Sequence, residues 1–192
     1  SQQTPFGDPM SPSNHPPPLT DGTAAGSGES DEFADQASIV SPASFLERLQ
    51  QSARGPASFL ALLIIDINSF HSINEAHGFI VGDRFLDMVG RRLAGRLRAE
   101  DLLTRLGSDE FAVLLTDVFD SASAVGAARD LLRALSEPFE LNERPLAASA
   151  CAGVSLSPAH GRDVRTLLYA ARAALRGAKE TGLDAVVAMP GE

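Results

Sequence analysis

The chain has a single cysteine, Cys151. That excludes an intramolecular disulfide and fits a reducing, cytoplasmic compartment. Long apolar runs are also missing. The longest, Phe59 to Ile65, is far too short to span a membrane. No basic-then-apolar signal segment is visible at the N-terminus, so no direct membrane contact is expected from this segment. Basic residues are scarce: 16 Lys and Arg face 25 Asp and Glu, for a net charge of −9. This argues against a nucleic-acid binder. The deficit is uneven, because residues 1–60 hold seven acids and two bases while the remainder holds 18 acids and 14 bases. A mildly acidic domain can still handle nucleotides if a metal offsets the phosphates. Cys151 lies in the small-residue run Ala147 to Val154 with no His or basic neighbour in sequence. It reads as a buried small thiol rather than a nucleophile.

What is present suffices for one domain plus a tail: 192 residues, of which 44% are hydrophobic. Residues 1–40 are rich in Pro, Ser, Gly and Asp, as in Pro16-Pro17-Pro18 and Ala24-Ala25-Gly26-Ser27-Gly28. They read as a disordered linker or tail that in a longer parent chain joins this domain to others. Residues 41–58 read as a short helix and connector. Ser41-Pro42 is an N-cap with proline at the first helical position, Phe45, Leu46 and Leu49 share a face, and Gly55-Pro56 ends the segment.

Residues 59–190 read as the folded domain. The run Leu60 to Ile65 predicts a fully buried strand ending at Asp66. A short helix follows over about 70–76. A longer one is expected to open at Asp83, with Phe85, Leu86, Val89, Leu93 and Leu97 at helical spacing. Gly107-Ser108-Asp109-Glu110 lies between two apolar runs and predicts a hairpin, with strands over about 102–106 and 111–116. A helix over 121–136, a strand over 149–157, a helix over 163–180 and a last strand over 184–189 complete the order. The fold class is α/β (α+β): a mainly antiparallel sheet flanked by helices.

Two adjacent carboxylates at a hairpin tip, with a third at the end of a buried strand, suit a hard cation. Mg²⁺ is commonly held by one or two carboxylates plus substrate phosphates. Read alone, Asp66 is a strand-end residue meeting solvent. Beside Asp109 and Glu110 the metal reading is favoured.

Asp66-Ile67-Asn68-Ser69-Phe70, Ile73-Asn74, Gly82-Asp83 and Gly107-Ser108-Asp109-Glu110-Phe111 occur in that order over roughly residues 59–189. In order and spacing they resemble the GGDEF family of diguanylate cyclase domains. The resemblance implies a palm like that of nucleotidyl cyclases and polymerases. It also implies condensation of two GTP to cyclic di-GMP with release of pyrophosphate. Mg²⁺ or Mn²⁺ would be held by Asp66, Asp109 and the carbonyl of Ile67. Asp109 and Glu110 are the implied catalytic pair. Catalysis would need two such domains face to face, hence a homodimer. Asn74 and Asp83 match the guanine-reading pair; read alone they are a helix-end Asn and an N-cap Asp. Lys179 matches a phosphate-contacting lysine, and a solvated helix face is its alternative. Ser108 is a substrate-binding position where the family has Gly, which lets backbone approach a phosphate. Arg98 and Asp101, in Arg98-Ala99-Glu100-Asp101, match the family's inhibitory site for cyclic di-GMP. An exposed, charged helix end is the other reading.

Other positions depart from the pattern. Asn68 stands where Asp is frequent, His71 where a phosphate-contacting Lys is usual, Phe79 where His is common, and Leu183 where an Arg usually contacts phosphate. The Asp-x-Leu-Thr-type motif and Asn-Arg pair that often precede the domain are absent from Asp31-Glu32-Phe33-Ala34-Asp35. Each lost charge-assisted contact weakens binding by ~1.5–3 kcal/mol. Two functions stay open: a weakly active cyclase, and a degenerate regulatory module that binds GTP, cyclic di-GMP or a partner domain without turnover. A cyclase making a 3′,5′-cyclic mononucleotide shares the palm, but the hairpin sequence points away from it.

Overall fold

Strand β2, Leu60–Ile67, is apolar at every position but Asp66 because both its faces are covered. Its side chains alternate. Leu60, Leu62 and Ile64 enter one core with Phe45, Leu49 and Leu167. Ala61, Leu63, Ile65 and Ile67 enter a second core with Phe85, Val89 and Leu131. The computed structural model describes residues 38–55, 59–141 and 144–189. The expectations for Pro56 and for most of the N-terminal segment lie outside these residues.

The elements run β1 (Ser38–Ile39), α1 (Pro42–Arg54), β2, α2 (Phe70–His77), α3 (Phe79–Ala94), β3 (Leu102–Arg105) and β4 (Glu110–Thr116). They continue with α4 (Ser121–Ser136), β5 (Phe139–Leu141), β6 (Arg144–Leu146), β7 (Ala150–Ser157), α5 (Val164–Thr181) and β8 (Ala185–Val187). The main sheet has the order β1-β3-β4-β2-β7-β8. Its inner pairs β3/β4, β4/β2 and β2/β7 are antiparallel, and its outer pairs β1/β3 and β7/β8 are parallel. Strands β5 and β6 form a separate two-stranded ribbon. The expected mainly antiparallel sheet with flanking helices is what forms.

Helices α1 and α5 contribute to one core, and α3 and α4 to the other. Helix α1 is capped by Ser41, whose Oγ accepts from Ser44 N–H at 3.2 Å, and it buries Phe45, Leu49 and Ala53 completely. Helix α5 lies directly against β7 at Gly153. A Cβ there would sit 2.1 Å from the Ala171 carbonyl oxygen and 2.3 Å from the Leu175 nitrogen. Only glycine permits that approach. Ala171, Ala174 and Ala178 keep the same helix face small. This contact fixes where the outward side chains of α5 meet the sheet.

The structure departs from the sequence reading in three places. Helix α3 opens at Phe79, not at Asp83. Gly78, at φ +85°, makes the turn, and Gly82 lies inside the helix, where a Cβ would sit 1.8 Å from Asn74 Oδ1. The glycine before Asp83 therefore serves a close helix contact, not a helix start. Strands β1, β5 and β6 are additional elements of two or three residues. Cys151 is half-buried, not buried, and accepts a 3.6 Å hydrogen bond from Asn68 Nδ2.

Candidate active site

Strands β2 and β4 pair so that Asp66 lies directly opposite Glu110. By alternation both side chains leave the sheet on the face that carries Leu62, Ile64, Ala112 and Leu114, which is the α5 face. Helix α5 answers each carboxylate with a cation. Lys179 Nζ donates to Asp66 Oδ1 at 2.6 Å, and Arg172 Nη2 donates to Glu110 Oε1 at 2.6 Å. The two carboxylates are only about one-fifth exposed, while their partners are nearly half exposed. Like charges directly opposite on adjacent strands repel, and these two cations offset that repulsion.

Asp109 reaches the same place from the hairpin. Its backbone carbonyl accepts from Ile67 N–H at 3.0 Å, bridging the tip of the hairpin to the end of β2. Its carboxylate accepts from Ser108 Oγ at 2.9 Å. The tip is tied by Arg105, which donates to the Gly107 and Ser108 carbonyls at 3.0 and 2.8 Å. Ser108 is exposed and outside the left-handed region, so serine replaces glycine here without backbone strain.

Asp66, Ile67, Asp109 and Lys179 line one open cleft of about 650 Å³. His71, Cys151 and Leu183 are also on its wall. His71 is largely exposed and lies 3.1 Å from Glu75. Asn68, on the same wall, donates to Ser149 Oγ at 3.0 Å.

Among the described residues, no group of three or more His, Cys, Asp and Glu side chains forms a metal cage. The donor set that is present, two carboxylates and a strand-end carbonyl beside an open cleft, fits Mg²⁺ completed by phosphates. It does not resemble a closed structural site.

Asn74, on α2, carries a buried Oδ1 with no hydrogen-bond partner among the described residues. That oxygen is closed off against Gly82 of α3, where a Cβ would sit 1.8 Å away. Gly82 of α3 abuts Asn74, and Asp83 is the next residue of that helix. Asp83 is exposed and 3.7 Å from Arg105.

Arg98 and Asp101 lie at a different cleft, of about 480 Å³, between the end of α3 and the start of α4. Arg98 is exposed, whereas Asp101 is buried. The Asp101 carboxylate accepts from the backbone N–H of Arg98 at 3.0 Å and of Thr116 at 3.2 Å. Burial pushes its carboxyl above the usual aspartate range, against the opposing pull of those two donors. Asp101 therefore holds the loop whether or not a ligand is present.

Two arginines of the site escape sequence reading. Arg105 sits in the hairpin that draws attention, but its role is to tie backbone. Arg172 is seven residues before Lys179. That spacing puts both on one face of a helix, but nothing local in the sequence ties Arg172 to Glu110.

A family model described as "Diguanylate cyclase, GGDEF domain" matches residues 41–185. The bifunctional diguanylate cyclase/cyclic di-GMP phosphodiesterase MucR of Pseudomonas aeruginosa is 35% identical over 136 residues, 71% of this chain and 20% of that protein. Diguanylate cyclase TpbB of the same species is 34% identical over 146 residues, 74% of this chain and 34% of its own length. The crystal structure of the TpbB GGDEF domain superposes with a TM-score of 0.73 at 32% identity, covering 80% of this chain and 99% of that one. The chain thus spans between a fifth and about a third of the length of these curated relatives. With a family match of this extent, and with Asp66, Ile67, Asp109 and Lys179 on the wall of one cleft that Asn74, Asp83, Ser108 and Glu110 do not line, the chain belongs to the GGDEF domain family of diguanylate cyclases.

Proposed function

We propose that the chain is a diguanylate cyclase domain of low activity, condensing two GTP into cyclic di-GMP and pyrophosphate. The observation that carries this reading is the convergence of Asp66, from β2, and Asp109, from the hairpin, on one open cleft whose wall also carries Lys179. A divalent cation, Mg²⁺ or Mn²⁺, held by Asp66, Asp109 and the Ile67 carbonyl, would offset phosphate charge and acidify the attacking hydroxyl.

The chain's own residues supply the remainder. Asn74 and Asp83 read the guanine edge, Asp83 from an exposed position on α3. Lys179 shifts from Asp66 to the triphosphate. Ser108, exposed at the tip, leaves room for a phosphate beside the hairpin backbone. Each ribose O3′ bonds to the α-phosphorus of the opposite nucleotide, and the bond to pyrophosphate breaks. Glu110, opposite Asp66 in register, would accept the O3′ proton. One domain holds one GTP, so turnover requires a homodimer. Cyclic di-GMP bound at Arg98 would restrain it. The low activity rests on His71 and Leu183, which stand on the cleft wall where a fixed cation would strengthen triphosphate binding.

The test is incubation with GTP and Mg²⁺ followed by chromatography of the products. Cyclic di-GMP that disappears in Asp109→Ala supports the reading. Tight GTP binding with no product at any protein concentration overturns it in favour of a regulatory module.

A further inference from the structure

Arg172 has no place in the sequence motifs, yet it makes one of the two shortest ion pairs of the site. Its Nη2 lies 2.6 Å from Glu110 Oε1 across 62 positions of chain. The carboxylate is four-fifths shielded from water, so the pair is stronger than a surface one. While the guanidinium holds that oxygen it is not presented to a hydroxyl, and the guanidinium charge sits beside Asp66, which is opposite Glu110 in register. Arg172 also has somewhere else to go. Its side chain borders an open groove of about 770 Å³ along α5, shared with Arg165, Tyr169 and Arg176.

We propose that Arg172 is a positioning residue for Glu110 that competes with the divalent cation, so that it sets the cation concentration at which the nucleotide site fills. This rests on the cyclase reading of the cleft. Before nucleotide arrives, the guanidinium neutralises Glu110 and holds it in one rotamer. When cation and triphosphate enter, their charge replaces that of Arg172, and the arginine swings toward the groove. Lys179 performs the matching exchange on Asp66, two helical turns away on the same face of α5.

The experiment is calorimetric titration of Mn²⁺ into protein with α,β-methylene GTP, against a protein-free blank, with thermal melts to verify folding. Arg172→Ala is expected to bind Mn²⁺ roughly two- to fivefold more tightly than the parent chain. Arg172→Lys falls between the two, which also guards against a folding defect in the alanine variant. Arg176→Ala, on the same helix but without Glu110 as partner, leaves the affinity unchanged. In the Glu110→Gln background, Arg172→Ala brings no further gain. Equal or weaker Mn²⁺ binding by Arg172→Ala, with the parent chain still binding, overturns the competition and leaves the cyclase reading standing. No Mn²⁺–nucleotide binding by any variant overturns both.

Discussion

Lys179, the only lysine in the chain, places its Nζ 2.6 Å from Oδ1 of Asp66, a residue 113 positions earlier. The pair joins the C-terminal half of α5 to the end of the central strand. It also pairs the Asp66 carboxylate with a cation next to an open cleft. Lys179→Ala removes that partner and, in the proposed function, a triphosphate contact. GTP affinity should fall about tenfold or more, from the ~1.5–3 kcal/mol of a charge-assisted contact. Lys179→Arg should retain most of it. Calorimetry with a non-cyclisable GTP analogue measures both.

Asp109 contributes to structure through its backbone, and the proposed function gives its side chain the chemistry. The Ile67 N–H is satisfied by the Asp109 carbonyl, not its carboxylate. Asp109→Ala should therefore leave the melting temperature nearly unchanged while eliminating product. A large loss of stability would show that the carboxylate braces the hairpin instead.

Gly153 seats α5, and with it both cations of the site. A methyl group there meets helix backbone at 2.1 Å. Gly153→Ala should destabilise the domain by about 1–3 kcal/mol, as overpacking does. It should also weaken nucleotide binding, because Lys179 and Arg172 move with the helix. Chemical denaturation and calorimetry on the same variant check the two effects.

Arg98 and Asp101 should separate on mutation although they share a motif. Arg98→Ala leaves the fold intact and removes cyclic di-GMP binding at the cleft beside α4. Asp101→Ala strips the Arg98 and Thr116 N–H groups of their acceptor, a loss of about 1–3 kcal/mol. Paired melts and calorimetry with cyclic di-GMP distinguish the two.

The pH dependence of stability has a definite sign at the helix caps. Hydrogen bonds from Ser123 to Asp120, and from Thr166 to Asp163, hold both carboxyls below the usual aspartate range. Groups lowered in the folded state stabilise above their unfolded value, and that contribution is lost as pH falls through the folded one. The melting difference between the parent chain and Asp163→Ala should be full above about pH 4 and shrink below it. Asp101, raised by burial, works in the opposite sense: its contribution is present at low pH and lost as pH rises through its folded value.

The legible parts of the fold are those where one physical signal dominates. Strand β2 is readable because covering both faces leaves an unbroken apolar run, and α5 because Asp163 and Gly182 bracket an amphipathic stretch. Strands β1, β5 and β6 are too short to show a period, and β6 carries Pro145 at its centre, a residue that argues against a strand. The start of α3 is misread because Gly82-Asp83 has the form of a turn and cap, while Gly82 is glycine for its contact with Asn74. Within the site, Asp66 and Asp109 are visible because motif and strand end mark them. Arg172 is not, since its link to Glu110 depends on how Gly153 lets α5 settle on β7. That is a tertiary contact with no local trace.

The central claim is that residues 66, 67 and 109 surround one divalent cation beside a bound guanine nucleotide. Paramagnetic broadening by Mn²⁺ in the amide spectrum of the ¹⁵N-labelled chain, with α,β-methylene GTP present, tests it most directly. Loss of the Ile67 and Asp109 amide signals first, abolished by Asp66→Ala, is the predicted result. Broadening centred elsewhere, or unaltered by Asp66→Ala, would contradict it.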